Sequence, residues 1–258
     1  MKYELTDVTL NDFGKTFYKI RALKDFGDVK SGYLGGWIES EKNLSQESNA
    51  WVSGNAKVFG GAEVSGDANI SCNARVSSNA RISGNARVSG NAWVSGNARI
   101  SGDANISGSA RVSGNAWVYG DAEVSVDARV SGYARISDNA NISGSARVSG
   151  NARISGDVRI SGSAEVSGDV RVSGSARVSG NAIIKNSKFP QVKRSDGYDF
   201  ISVPCSDGKM RVIAGCRYFT FKEAKKHWKD TRGGTPLGDE TMFILKYLKK
   251  YVKMVDKT

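Results

Sequence analysis

From Asn49 the chain repeats one pattern of apolar and polar positions with a period of six. It reads NAWVSG, NAKVFG, GAEVSG, DANISC, NARVSS, NARISG and continues without a slip to NAIIKN at Asn186, 23 hexads in all. The second residue of each hexad is Ala, or Val at Val158 and Val170, and the fourth is Val or Ile. Two positions apart on an extended backbone, these residues face the same side, so each hexad predicts a very short strand with one apolar face. The third residue, most often Arg, points the other way. The Ser, Gly and Asn, Asp or Ser that follow are turn formers, with Gly supplying positive φ at no steric cost, so a corner is predicted after every strand.

A fixed short period means a solenoid, in which a unit buries its apolar face only against its neighbours. The coil length is suggested by DANISGSARVSGNA at Asp103, which recurs as NANISGSARVSGNA from Asn139, 36 residues or two 18-residue coils later. The pattern x-[small]-x-[Ile/Val]-x-x resembles the hexapeptide repeat of left-handed β-helix proteins. That resemblance implies an all-β solenoid, a left-handed parallel β-helix with three hexads per coil, departing from the usual right-handed crossover. Just under eight coils would then stack to roughly 36 Å at about 4.8 Å per layer. Burying Val and Ile at ~1.5–3 kcal/mol each does not offset ordering 18 backbones at ~1–2 kcal/mol each. Hydrogen-bond ladders between coils and a cap at each open end must supply the rest.

Both flanks offer such caps. Residues 1–48 carry Phe17, Tyr18, Ile20, Leu23 and Phe26 and then GDVKSGYLGGWIESEKNLSQ, an irregular but strand-like lead-in. Its wording resembles the opening segment of phage- and prophage-associated hexapeptide-repeat proteins and of bacterial acetyltransferases. Residues 187–258 differ in kind. Phe200 to Val203, a Ser-Asp-Gly-Lys turn at 206–209 and Met210 to Ala214 predict a hairpin. Thr220 with Glu223 makes a capping box before FKEAKKHWK, and Thr235-Pro236 opens TMFILKYLKKYVK, so two helices complete a small ββαα domain.

Charge changes this division from architectural to functional. Residues 1–48 hold seven Lys/Arg against eight Asp/Glu, the hexads fourteen against ten, and residues 187–258 sixteen against eight, so most of the overall +11 sits in the last segment. There, Lys222, Lys225, Lys226 and Lys229 fall at i, i+3, i+4 and i+7, and Lys246, Lys249, Lys250 and Lys253 repeat the spacing. Each set marks one helical face, with Phe221, Ala224 and Trp228, and Phe243, Ile244, Leu248, Tyr251 and Val252, expected as the core opposite. On an 18-residue coil a second basic feature appears, a stripe of Glu63, Arg81, Arg99, Trp117, Arg135, Arg153 and Arg171. A companion stripe runs through Lys57, Arg75, Trp93, Arg111, Arg129, Arg147 and Glu165, and a third is mixed. Such faces suit phosphates or an acidic protein surface, and equally a solvated β-rod.

Catalytic signatures are sparse. Acyl transfer, which the hexapeptide resemblance brings with it, generally uses a histidine base and a loop inserted between coils. The repeats hold neither, and the one histidine, His227, falls on a predicted helix beside Trp228. Cys72, Cys205 and Cys216 have no CxxC spacing, which argues against a disulfide framework or zinc site. No catalytic residue, metal or cofactor is expected. The start MKYELTDVTL lacks a secretory pattern and no apolar run reaches the ~18 residues that span a bilayer, so a cytoplasmic location is expected, the host cytoplasm if the chain is phage-encoded. The expected function is a non-catalytic scaffold engaging an anionic macromolecule: nucleic acid, nucleoprotein or acidic protein. Inhibition or sequestration of a host factor, a homo-oligomer, and a divergent acyltransferase are the further expectations.

Overall fold

Each hexad leaves room for two extended residues before its Ser-Gly corner turns the chain. The computed structural model describes residues 1–185, 190–204, 209–215 and 217–255. Three strands open the chain, β1 (Tyr3–Asp12), β2 (Lys15–Ala22) and β3 (Leu34–Ile38), and 23 two-residue strands, β4 to β26, follow from Trp51–Val52 to Ile183–Ile184. Until the last coil, each of these pairs in parallel with the strand 18 residues on, as Arg99 does with Trp117, Trp117 with Arg135 and Arg135 with Arg153. The coil strands therefore sort onto three faces of eight, eight and seven strands, the first extended by β1 to β3. The result is a parallel β-solenoid of about eight turns, as the period predicts.

Ladders and stacked small residues hold the coils together. The N–H of Arg99 donates to the Ala116 carbonyl at 2.9 Å and that of Ser101 to Val118 at 3.0 Å, and the same pair of bonds recurs along the stack. The Ala and Val/Ile positions are at most 5% exposed, including Val158 and Val170. The corners stack as well: a Cβ built on Gly84 would lie 2.7 Å from the nitrogen of Gly102, so backbone passes backbone there with no space for a side chain. Beside the corners, asparagines form short ladders, such as Asn97 Nδ2 to Asn115 Oδ1 at 3.0 Å.

The first hexad departs from the outward-pointing third position. Trp51 is buried, because the amino-terminal strands fold over it and set Tyr3 and Phe26 edge-on at 6.4 and 5.4 Å. The same cap buries Lys2, whose ammonium donates to the Ser48 and Ala50 carbonyls at 2.7 and 2.8 Å. Burial, and then the charge of Lys24, lowers its pKa from 10.5 to about 8.

At the other end the expected hairpin is the middle of a four-stranded antiparallel sheet: β27 (Gln191–Lys193), β28 (Asp199–Pro204), β29 (Met210–Ala214) and β30 (Arg217–Thr220). The expected turn at 206–209 and Cys205 and Cys216 fall largely outside the described residues. This sheet has two apolar faces, and the alternation along β28 and β29 assigns them. Ile201, Val203 and Ile213 join the solenoid core, whereas Phe200, Val212 and Ala214 pack beneath α1 (Phe221–Arg232) and α2 (Pro236–Val255) with Ala224, Trp228, Ile244 and Leu248. The sheet thus closes the last coil on one side and seats two helices on the other.

Candidate anion-docking surfaces

The helices begin where their caps dictate. The Thr220 Oγ1 accepts from the Glu223 N–H at 3.2 Å while Glu223 Oε2 accepts from the Thr220 N–H at 2.8 Å, and Thr235 Oγ1 accepts from the Gly238 N–H at 3.1 Å. Starting points and period then set which side chains meet. Ala224 and Trp228 of α1 are buried as expected, but the core stripe of α2 runs through Thr241, Ile244, Leu245, Leu248 and Val252. Phe243, expected in the core, is 72% exposed instead. At 100° per residue it lies about 160° from Leu245, and the helix can bury only one of those two sides.

This rotation decides what the lysines do. Lys222, Lys225, Lys246 and Lys249 line one open groove of about 560 Å³ between the helices, over a floor of Phe221, Met242 and Leu245. Two walls of opposite helices thus present ammonium groups to the same space. None of the four has a carboxylate within ion-pair distance among the described residues. Lys226, Lys229 and Lys250 are exposed outside the groove, and the side chain of Lys253 lies outside the described residues.

The coil stripe falls on one sheet in the predicted order, and its two ends differ. Glu63 pairs with Arg81 at 3.6 Å, and Arg99 sits 5.9 Å from the Trp117 ring, whose neighbour Tyr119 is 5.3 Å away. Beyond Trp117 compensation stops. Arg135, Arg153 and Arg171 stack on consecutive coils with no ion pair among the described residues, and with Tyr133 and Asn151 they line a cleft of about 510 Å³. Asp169 at its edge tempers the charge. The companion stripe is more neutralised, since Lys57 pairs with Asp12 at 2.5 Å and Arg147 with Glu165 at 3.3 Å.

His227 lies half-buried on α1, with its ring 5.0 Å from Phe219 and 5.1 Å from Trp228. Among the described residues no three His, Cys, Asp or Glu side chains group as metal ligands. No described helix is long and apolar enough to cross a membrane. The groove was not legible in the sequence, although its lysines were, because it depends on how α1 and α2 lie against each other. The spacing of Phe221 before Lys222 and of Met242 and Leu245 before Lys246 is the trace it leaves.

A family model described as the YdcK beta solenoid repeat matches residues 80–96, 98–114, 134–150, 146–162, 152–165 and 164–180, stretches of about one coil each. No curated protein is similar enough to count as a relative. The chain is a β-solenoid repeat protein, and its coils are similar to the YdcK beta solenoid repeat.

Proposed function

We propose that this protein is a non-catalytic scaffold whose basic surfaces dock an anionic macromolecule, in first place an acidic segment of a protein. The observation that carries this reading is the groove between α1 and α2, where four lysines with no ion pair among the described residues flank an apolar floor. Ammonium groups alone would suit any polyanion. An apolar floor favours a ligand that brings both carboxylates and hydrophobic side chains, which a nucleic-acid backbone does not. Lysines on facing walls hold the charge while the floor takes the apolar residues, and the solenoid fixes the sheet beneath. Arg135, Arg153 and Arg171 supply a second basic surface on the same rod.

The hexad pattern supports kinship with left-handed hexapeptide-repeat β-helices, and the wording of residues 1–48 with their phage-associated members. In that setting the scaffold acts in the host cytoplasm by sequestering or inhibiting a host factor. The test is capture of partners from host lysate with and without nuclease, compared with a Lys222→Glu, Lys225→Glu, Lys246→Glu, Lys249→Glu variant. Capture that survives nuclease, weakens with salt and disappears in the variant is expected. Loss of capture on nuclease treatment points to nucleic acid instead, and equal capture by the variant removes the groove from the function. Acyl transfer from an acyl-CoA that is lost in His227→Ala would replace the scaffold reading altogether.

A further inference from the structure

Helix α2 carries a second apolar stripe that nothing in the described structure covers. Phe243, Tyr247 and Met254 are 72%, 44% and 61% exposed, although Ile244, Leu245 and Leu248 on the other side of the same helix are buried. With 3.6 residues per turn, the steps from 243 to 247, 250 and 254 stay on one line, so Phe243, Tyr247, Lys250 and Met254 form a seam of heptad spacing. The Tyr247 and Tyr251 rings lie 6.1 Å apart along its edge. An exposed aromatic seam on a helix already anchored by its opposite face marks an interaction surface.

The charges along the seam say what covers it. Exposed Asp239 stands at the amino-terminal end and exposed Lys250 towards the other, and neither has an ion-pair partner among the described residues. Read in reverse, the stripe is complementary to itself. Laid antiparallel on a second copy, Phe243 meets Tyr247, Tyr247 meets Phe243, and Asp239 comes within a turn of Lys250 twice over. That is the reciprocity a two-fold interface requires. An anionic lipid surface would accept the lysines and aromatics but would repel Asp239.

We propose that this outer face of α2 is a homodimer interface, formed by antiparallel packing of α2 against α2 of a second copy about Phe243 and Tyr247. Its two-heptad length covers less than the ~800 Å² per partner of a standard interface, so the dimer is weak and its population depends on concentration in the micromolar to millimolar range. The groove lined by Lys222 and Lys249 lies on another side of α2, so the dimer carries two grooves and gives a multivalent acidic partner avidity. This inference stands whether or not the groove binds such a partner.

Sedimentation equilibrium of the full chain tests it. A monomer–dimer equilibrium is expected at moderate and high salt, because the centre of the seam is apolar, whereas docking of an acidic partner weakens with salt. Phe243→Ser with Tyr247→Ser should shift the dissociation constant at least tenfold without lowering the melting temperature at concentrations where the wild type is monomeric, since both side chains are exposed. Asp239→Lys should weaken the dimer, and adding Lys250→Asp to it should restore it. A chain that stays monomeric at the highest concentration, a dimer that survives the double serine variant, or a charge swap that fails to rescue would each overturn the interface. Binding of the wild type to anionic vesicles without any dimer would assign the seam to a lipid surface instead.

Discussion

Positive φ at the coil corners is met by glycine in most coils, but Cys72, Ser78, Val126 and Asp138 occupy the same position with φ of 59°, 62°, 61° and 57°. Asp138 gains something there, since its Oδ2 accepts from the Gly156 N–H at 2.9 Å on the next coil. Val126 gains nothing comparable. It is β-branched, 51% exposed, and stands between Gly108 and Gly144 in the corner stack. A left-handed backbone costs an L-residue roughly 1–2 kcal/mol, and only part of this is returned by the greater freedom of glycine in the unfolded chain. Val126→Gly is therefore expected to stabilise the protein by about 1 kcal/mol, read as a higher urea midpoint at unchanged slope. The reverse logic applies in the core, where Ala98 is fully buried beneath the next coil. Ala98→Leu overpacks the prism and should lower stability by roughly 1–3 kcal/mol.

Among the elements, the link between the carboxy-terminal sheet and α2 is the most unusual, because it buries a guanidinium. Arg194 is 2% exposed, donates to both carboxylate oxygens of Asp196 at 2.9 and 2.7 Å and to Thr241 Oγ1 at 2.8 Å, and lies 5.0 Å from the Tyr198 ring. Its hydrogen bonds hold the Asp196 carboxyl down from 3.8 to about 2. The folded state thus binds this proton less readily than the unfolded chain, so the contribution is complete above pH 3.8 and fades as pH falls through about 2. Against an Asp196→Asn variant, the wild-type advantage in denaturant stability is expected to be constant near neutrality and to vanish on acidification into that range. Nothing in the sequence announced this clamp, since Arg194 reads as one more surface cation in a basic segment. The capping box at Thr220 and the helix start at Thr235 were legible because they depend on neighbours within three residues. The rotation of α2 was not, because Phe243 and Leu245 fit helical stripes equally well until the sheet beneath chooses one. Candidate lysines were legible for the local reason, and the groove they share was hidden for the non-local one.

For the molecule as a whole, the two-faced carboxy-terminal sheet decides whether solenoid and helices behave as one unit. The solenoid core runs without a break from Tyr3 and Ile20 in the amino-terminal cap through the coils to Ile201, Val203 and Ile213. Repeat arrays are stabilised by neighbours, and their open ends expose unpaired strand edges, so an end that shares its core with a cap loses both together. One cooperative unfolding transition is therefore expected by calorimetry, with tail and coils exchanging amide protons together. Ile213 is the place to cut this coupling: it is 1% exposed, and the adjacent Val212 and Ala214 face the helices, so a change at Ile213 leaves the other apolar face intact. Ile213→Asp places an unpaired carboxylate against the last coil, which should cost more than about 3 kcal/mol and split the transition in two. The tail and the last coils would then lose exchange protection before the amino-terminal coils around Val58 and Val76. If Ile213→Asp still melts in a single transition with uniform protection, the sheet is a passenger on the solenoid, and the stability of the last coils must come from their own ladders.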